Sequence, residues 1–340
     1  MRIIAYLGAL AVLSGTAASV HAWDGPGQPL VVTASNTATN DLLVYDTRGK
    51  LIQTVATDGK GGASGNAGGI AVSGNRLAVV NFGSQSVTIF ERTHSGFRLR
   101  QVIPTSSGPL SVAFGHHHLY VLDADVVESH QIFDSVVSPG ADGVASLVEA
   151  DGSSAQVGVL ENQLIISEKS NAIETVNLAA DGAVTGAAAL VANIPSNVNA
   201  PFGLATRGNE AYVTIAHADE ISLVRNDAIL TITGSGTQHA PCWLALDGPF
   251  LFSSNSPSMS VSRYVVYGRK IIQDEAVAAT FNGSPTDIAY REGFVAVIDG
   301  AGAVSHLSIF KVDGDGNLMP RAVSTINSAA NGVAVVRDDE

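Results

Sequence analysis

A repeated pair of short apolar segments restricts the possible folds of this chain more than any other feature. One copy is Gly69–Val72 followed by Leu77–Asn81, and the next is Ser111–Phe114 followed by Leu119–Asp123. The copies recur at intervals of roughly 40 to 47 residues, the period of a repeat unit built from four strands. We call the first residue of each copy its anchor position. The anchor positions are Gly69, Ser111, Gln156, Gly203, Trp243, Asp287 and Gly332.

The residues around the anchor positions repeat as well, which supports a single register for all copies. Two residues after each anchor the side chain is small: Ala71, Ala113, Gly158, Ala205, Ala245, Ala289 and Ala334. Innermost strands that converge on one axis leave little room, so small residues are expected at one level. Proline, which suits the first residue of a strand, often stands two residues before the anchor. The sequence therefore predicts an all-β fold, a seven-bladed β-propeller with four-stranded antiparallel blades.

The two ends of the repeat region complement each other. The first apolar segment, Leu30–Thr33, has no innermost strand before it, and Gly332–Val336 is an innermost strand without a second strand after it. Placing both in one blade closes the ring and removes the open edges that would invite aggregation. We therefore predict that the C-terminal strand lies in the first blade and closes the ring.

The first 22 residues have the pattern of a secretory signal peptide. Arg2 precedes a short apolar run, Ile3–Leu13, and the small-residue region ends in Val20-His21-Ala22. This arrangement predicts cleavage before Trp23. The alternative is a membrane anchor, but the run is short for a bilayer span. We expect a signal peptide over 1–22, one propeller domain over 23–340, no membrane insertion after cleavage, and a secreted or periplasmic location.

The charge balance excludes some classes of partner. The chain has 18 Lys and Arg against 31 Asp and Glu, a net charge of −13. Nucleic acid is not an expected partner, since phosphate contacts need clustered basic side chains. Cys242 is the only cysteine, so no internal disulfide can form. We expect a monomer that is stabilised by packing.

In its blade pattern the chain resembles the lactonase-type seven-bladed propellers. That family includes bacterial 6-phosphogluconolactonase and fungal carboxymuconate cyclase. The resemblance covers roughly Pro29 to Asp338 and rests on the blade pattern, on Ala240–Trp243 opening the sixth blade and on Ser284–Asp287 opening the seventh. It implies a hydrolase that opens a lactone or ester.

Polar residues recur at the end of the second strand of most blades. Connections between blades and from second to third strands share one face, called here the upper face; the remaining turns form the lower face. We call these strand ends the ring positions: Asn81, Asp123, Glu168, Ile215, Asn255 and Asp299. The predicted substrate-binding residues around the mouth of the channel are Asn81, Asp123, Asn255, Asp287 and Asp299. Lactone hydrolysis needs a base and an acid, and His239, His217 and Glu168 are the predicted catalytic residues.

Two alternatives for this face stay open. Asn and Asp at strand ends also cap turns without any catalytic role. An acidic, oxygen-lined mouth can also hold a divalent cation such as Ca²⁺. By the loop assignment only Lys60 and Lys169 are basic on this face, and anionic substrates generally need arginine. A neutral lactone or ester therefore fits better than a phosphosugar.

Three other conspicuous segments are interpreted as structural. His116-His117-His118 falls on a lower-face turn, where neighbouring side chains point to opposite sides. Asp313–Asn317 resembles the start of a calcium loop but lacks the distant glutamate, which indicates a hairpin turn. The glycines around Lys60 follow no phosphate-loop spacing and indicate a flexible connection.

Two functions are consistent with this sequence. The first is an exported hydrolase of a neutral lactone or ester at the upper mouth of the channel. The second is a non-enzymatic scaffold that binds a protein or small ligand, since a propeller fold does not fix function.

Overall fold

The fold is described by a computed structural model that covers residues 29–192 and 200–337. The predicted leader lies outside these residues. Within them the chain forms strands and two short 3-10 turns, Phe82–Ser84 and Ala216–Ala218. No helix in this part of the chain is long and apolar enough to cross a membrane.

The strands form seven antiparallel sheets, one per blade. Blade 1 contains β1 (Leu30–Ala34), β2 (Asp41–Asp46), β3 (Leu51–Ala56) and the last strand, β29 (Asn331–Val336). Blade 2 contains β4 (Ile70–Ser73), β5 (Arg76–Asn81), β6 (Ser86–Thr93) and β7 (Gly96–Pro104). Blade 3 contains β8 (Ser111–Gly115), β9 (His118–Leu122), β10 (Val126–Phe133) and an outer strand in two pieces, β11 (Val136–Val137) and β12 (Gly143–Ser146).

The other four blades follow the same order from the axis outwards. Blade 4 contains β13 (Ser154–Val159), β14 (Gln163–Glu168), β15 (Ala172–Asn177) and β16 (Ala189–Leu190). Blade 5 contains β17 (Pro201–Arg207), β18 (Glu210–Ile215), β19 (Glu220–Arg225) and β20 (Ala228–Gly234). Blade 6 contains β21 (Pro241–Asp247), β22 (Phe250–Asn255), β23 (Ser260–Tyr267) and β24 (Lys270–Thr280). Blade 7 contains β25 (Ser284–Arg291), β26 (Phe294–Ala301), β27 (Val304–Val312) and β28 (Leu318–Asn327).

Strand pairing confirms the predicted fold and its closure. Val32 of β1 pairs with Val44 of β2 on one side and with Ala334 of β29 on the other. The C-terminal strand is thus the innermost strand of blade 1, and the ring closes as expected.

The core is divided into layers between neighbouring blades. Val79 of β5, for example, packs in a cluster that combines side chains of blades 1 and 2. Equivalent clusters lie between the two blades of each remaining neighbouring pair. Second strands have neighbours on both sheet faces. A strand buried on both faces needs apolar residues at successive positions, which explains the continuous runs in the sequence.

The anchor positions bind each blade to the next. Gln156 Oε1 accepts a hydrogen bond from the Leu204 N–H of the following blade at 2.7 Å. At Gly203, a Cβ would lie 2.3 Å from the Cys242 carbonyl oxygen of the next blade, so only glycine fits there. Small or hydrogen-bonding residues at the anchors therefore follow from the close approach of the innermost strands.

Candidate functional site

The ring positions lie under the loops of the upper face and not in an open mouth. Each of them is 2% exposed or less. Asn81 shows the arrangement: Asn40 Nδ2, from the preceding blade, donates to Asn81 Oδ1 at 3.0 Å. Asn81 Nδ2 in turn donates to Thr88 Oγ1 at 2.8 Å. The Asn81 side chain thus ties an incoming connection to the third strand, which is the capping alternative left open by the sequence.

Asn255 has the same surroundings in blade 6. Its Nδ2 donates to Ser262 Oγ at 2.8 Å and to Ser260 Oγ at 3.1 Å. Ser260 Oγ donates to Gln238 Oε1, on the connection arriving from blade 5, at 2.6 Å. Asn81 and Asn255 thus both bind groups of the protein itself, and their contact with a substrate stays a prediction.

Asp123 and Glu168 are carboxyl groups in this buried layer. Asp123 Oδ2 accepts from the Ser107 N–H at 2.9 Å, and Glu168 Oε2 accepts from Ser153 Oγ at 3.1 Å. Within residues 29–192 and 200–337, the other oxygens, Asp123 Oδ1 and Glu168 Oε1, have no hydrogen-bond partner. Loss of solvent raises the pKa of Asp123 to about 7 and the pKa of Glu168 to about 8.

Asp287 lies on the innermost strand of blade 7 and contacts blade 1. Its Oδ2 accepts from the Val333 N–H of β29 at 3.0 Å, and its Oδ1 accepts from the Ile288 N–H at 2.8 Å. Burial raises the pKa of Asp287 to about 7. The side chain is therefore part of the connection that closes the ring.

An exposed histidine–carboxylate pair lies on the upper face between blades 5 and 6. His239 Nδ1 and Asp219 Oδ2 are 2.9 Å apart, and the Ala240 N–H donates to Asp219 Oδ1. Partial burial acts to raise the pKa of Asp219, but these hydrogen bonds outweigh it and lower the pKa. The His239 side chain is 68% exposed. When Nδ1–H donates to the carboxylate, Nε2 is left as an acceptor.

The third predicted catalytic residue, His217, belongs to the same region. It is exposed in the turn Ala216–Ala218, two residues before Asp219. The structure thus brings His217 and His239 to one side of the upper face through Asp219. It leaves Glu168 apart, buried in blade 4.

A long connection, residues 57–69, crosses the axial end of the channel; we call it the mouth segment. The Trp243 Nε1–H donates to the Asn66 carbonyl, and the Ala67 N–H donates to the Ala155 carbonyl. Lys169 Nζ donates to the Gly65 carbonyl at 2.7 Å. These contacts reach blades 4 and 6, so the connection interpreted as flexible is tied across the channel by hydrogen bonds.

Apolar side chains fill the axis beneath the mouth segment. Ala67 packs with Ala155 and Phe202, and the Phe202 and Trp243 rings meet edge to face at 5.0 Å. Burial raises the pKa of Cys242 to about 11, so its sulfur is a thiol at neutral pH. The axial channel is therefore closed at its upper end.

The lower-face histidines are placed as the sequence predicts. His116 and His117 form the β8–β9 turn, both with positive φ. His118 is buried, with Nε2 at 2.8 Å from Asp142 Oδ2. Across 29–192 and 200–337, no three His, Cys, Asp or Glu side chains are arranged to hold a metal ion. Binding of Ca²⁺ at the upper face stays a prediction.

Asp219 and His306 are the polar residues that sequence reasoning missed. Asp219 ends a 3-10 turn in a left-handed conformation, and its partner lies on the next blade. His306 Nδ1 lies 3.3 Å from Asp299 Oδ2. The His306 side chain also lines a pocket of about 170 Å³. Alternation along β27 places His306 and Ser308 on one face, but the pocket depends on the loop of the neighbouring blade.

Comparison with solved structures places the fold among lactonase-type propellers. The periplasmic gluconolactonase of Pseudomonas aeruginosa is 15% identical, with a TM-score of 0.67 over 91% of this chain and 99% of that one. A candidate 6-phosphogluconolactonase from Bacteroides uniformis is 13% identical, with a TM-score of 0.62 over 88% and 100%. A functionally unknown protein from Desulfotomaculum acetoxidans is 12% identical, with a TM-score of 0.67 over 92% and 100%.

At these identities the similarity concerns the fold. No family model matches the sequence, and no curated protein does. The resemblance to the lactonase-type propeller is thus confirmed for the architecture. The reaction has to be argued from the site.

Proposed function

We propose that this propeller is an exported hydrolase that opens a neutral lactone or ester at the upper face, with His239 as general base and Asp219 as its positioning residue. The observation that carries the proposal is the 2.9 Å contact between Asp219 Oδ2 and His239 Nδ1 on an exposed loop. A carboxylate on one imidazole nitrogen fixes the tautomer and orientation that a general base needs.

The proposed chemistry uses water as nucleophile. His239 Nε2 removes a proton from water while the water oxygen bonds to the lactone carbonyl carbon. The ring carbon–oxygen bond then breaks, and the imidazolium returns its proton to the leaving oxygen. Asp219 stabilises the imidazolium between these steps.

The charge of the surroundings supports an uncharged substrate. Lys169, one of the two predicted basic residues of the upper face, is committed to the Gly65 and Ser154 carbonyls. Burial lowers the pKa of Lys169. An anionic substrate would approach a protein of net charge −13 without the arginines that bind such groups.

A second function, a non-enzymatic scaffold, is favoured by a different observation. The mouth segment closes the axial channel, and Asn66 in it is 2% exposed. Ring positions that bind incoming loops, such as Asn81 and Asn255, need no substrate to explain them.

An assay with uncharged lactones separates the two functions. The parent protein, Asp219→Asn and His117→Ala are compared on γ-butyrolactone, δ-valerolactone and phenyl acetate, with and without chelator. The proposal expects hydrolysis by the parent, a lower kcat at unchanged KM in Asp219→Asn, and no effect of His117→Ala on the lower face. Absence of hydrolysis by the parent would leave the scaffold as the function. Loss on chelation would assign a divalent cation, such as the Ca²⁺ left open by the sequence, to the reaction.

Export is part of the proposal and rests on the leader pattern. Expression with the native leader should yield a protein outside the cytoplasm that begins at Trp23. N-terminal sequencing of the exported form checks this, and a chain that keeps Met1 would contradict it.

A further inference from the structure

The space beside the ring position differs between blade 7 and blades 2, 3 and 4. In blade 2, Asn40 from the incoming connection binds Asn81, and in blade 3 the Ser107 N–H binds Asp123. In blade 4, Ser153 binds Glu168. The incoming loop fills this space in each case and supplies a hydrogen bond.

In blade 7 the corresponding space is an open pocket. It has a volume of about 170 Å³ and is bounded by the connection from blade 6, with Phe281 and Asn282, and by blade 7, with Asp299, His306 and Ser308. Within residues 29–192 and 200–337, the incoming connection gives no hydrogen bond to Asp299. The volume is close to that of a protein cavity that accepts a benzene ring, so a ligand of about six or seven heavy atoms fits.

The pocket contains a buried carboxylate that is only partly paired. Asp299 is 2% exposed, and its Oδ2 lies 3.3 Å from His306 Nδ1. In the described part of the chain, Oδ1 has no hydrogen bond and no Lys or Arg forms an ion pair with this residue. His306 pairs with Asp299 as a cation only when its imidazole is protonated, and a buried carboxylate beside a neutral imidazole lacks a compensating charge, which is costly. A ligand that brings a positive charge recovers that cost.

The remaining walls suit the rest of such a ligand. Phe281 supplies an aromatic ring against which a carbon chain can pack. Val323 lies at the rim and is 69% exposed, so the pocket opens to solvent. The net charge of −13 favours the approach of cations over that of anions.

We propose that the pocket between the blade 6 connection and blade 7 binds a small organic ammonium ion, with its charged group on Asp299 and its carbon chain against Phe281. The site is distinct from His239 and Asp219, which are on blades 5 and 6. It stands whether or not the protein hydrolyses a lactone.

The test compares n-butylammonium with its neutral counterpart 1-butanol, by titration of the full-length mature protein followed by NMR. The n-butylammonium ion should bind to the parent protein and shift the Asp299 and His306 resonances. Binding of 1-butanol to the parent should be at least about tenfold weaker, and so should binding of n-butylammonium to the Asp299→Asn variant. Val323→Trp, an exposed change that narrows the opening, should also weaken binding.

Asp123→Asn is the matched control, since it removes a carboxyl group from the same ring position in blade 3, where a loop covers it. It should bind butylammonium as the parent does. Equal binding of 1-butanol, unchanged binding by Asp299→Asn, no binding by the parent, or an equal loss in Asp123→Asn would each overturn the proposal.

Discussion

Asp123 and Glu168 occupy ring positions where blades 2 and 6 carry Asn81 and Asn255. All four side chains are fully buried. The amides of Asn81 and Asn255 donate hydrogen bonds to hydroxyl groups of the third strand. The carboxyl groups of Asp123 and Glu168 each keep one oxygen without a partner among the described residues. Burial therefore favours the protonated, uncharged form of Asp123 and Glu168.

This protonation links stability to pH. The folded-state pKa values of about 7 for Asp123 and about 8 for Glu168 exceed the usual values near 4 of the unfolded chain. The folded state thus binds more protons, so stability falls as pH rises from about 4 to these values and is level above them. Asp287, whose pKa burial also raises to about 7, contributes to the same fall. Asp123→Asn and Glu168→Gln should each remove their own share of it and stabilise the protein at pH 8 by about 2–4 kcal/mol.

Urea unfolding between pH 4 and pH 9 measures the effect. The exposed Asp134 is not among the charges that act on Asp123 or Glu168, so Asp134→Asn is the control and should leave the pH dependence as in the parent. Amide variants that are less stable than the parent at pH 8 would show that the two carboxyl groups are held as charged groups.

The mouth segment is the element whose structure local sequence did not predict. Its glycines indicate a flexible connection, but Gly61 and Gly68 are places of close approach, where a Cβ would lie 2.2 Å from the Asn36 carbonyl carbon and 2.8 Å from Ser111 Oγ. The contacts come from residues far away in the chain. Nothing in the local pattern identifies those partners.

A reciprocal amide pair holds the tip of the mouth segment. Asn66 Nδ2 donates to the Leu110 carbonyl at 2.6 Å, and Asn331 Nδ2 donates to Asn66 Oδ1 at 3.1 Å. Asn66→Ala should destabilise the protein by about 1–3 kcal/mol, because it leaves buried groups without partners.

The double-mutant cycle with Asn331→Ala gives the sharper result. The double variant should lose less than the sum of the two single losses, since one interaction is shared. Thermal unfolding at one pH measures the stability of the parent, the two single variants and the double variant. If the loss of stability in the double variant equals the sum of the two single losses, the Asn66 and Asn331 side chains do not hold the mouth segment together.

Most of the architecture was accessible from the sequence because each blade repeats the same packing problem. The anchor register, the small residues near the axis and the closing strand all follow from innermost strands that meet closely. The site was accessible only in part. Asp219, which follows the second strand of blade 5, contacts His239 on the connection to blade 6. Asp299 differs from the other ring positions because the adjacent loop leaves a pocket beside it. Such contacts depend on three-dimensional placement that a periodic pattern does not carry.

Ring closure makes the last strand essential to the whole molecule. Val333, Val335 and Val336 of β29 are buried, and each contributes about 1.5–3 kcal/mol. A chain that ends at Ala330 should lose soluble yield, because β1 becomes an open edge. A chain that ends at Val336 keeps β29 and is the control. An unchanged melting temperature in the shorter chain would contradict the closed ring.

Turnover of an uncharged lactone by His239→Ala and Glu168→Gln, measured side by side, tests the central functional claim most directly. Both residues are predicted catalytic groups, but one is exposed beside Asp219 and the other is buried under a loop. His239→Ala should reduce kcat by roughly 10²–10⁴-fold with little change in melting temperature. Glu168→Gln should retain the parent's kcat. A protein that loses turnover in Glu168→Gln and keeps it in His239→Ala would contradict the account.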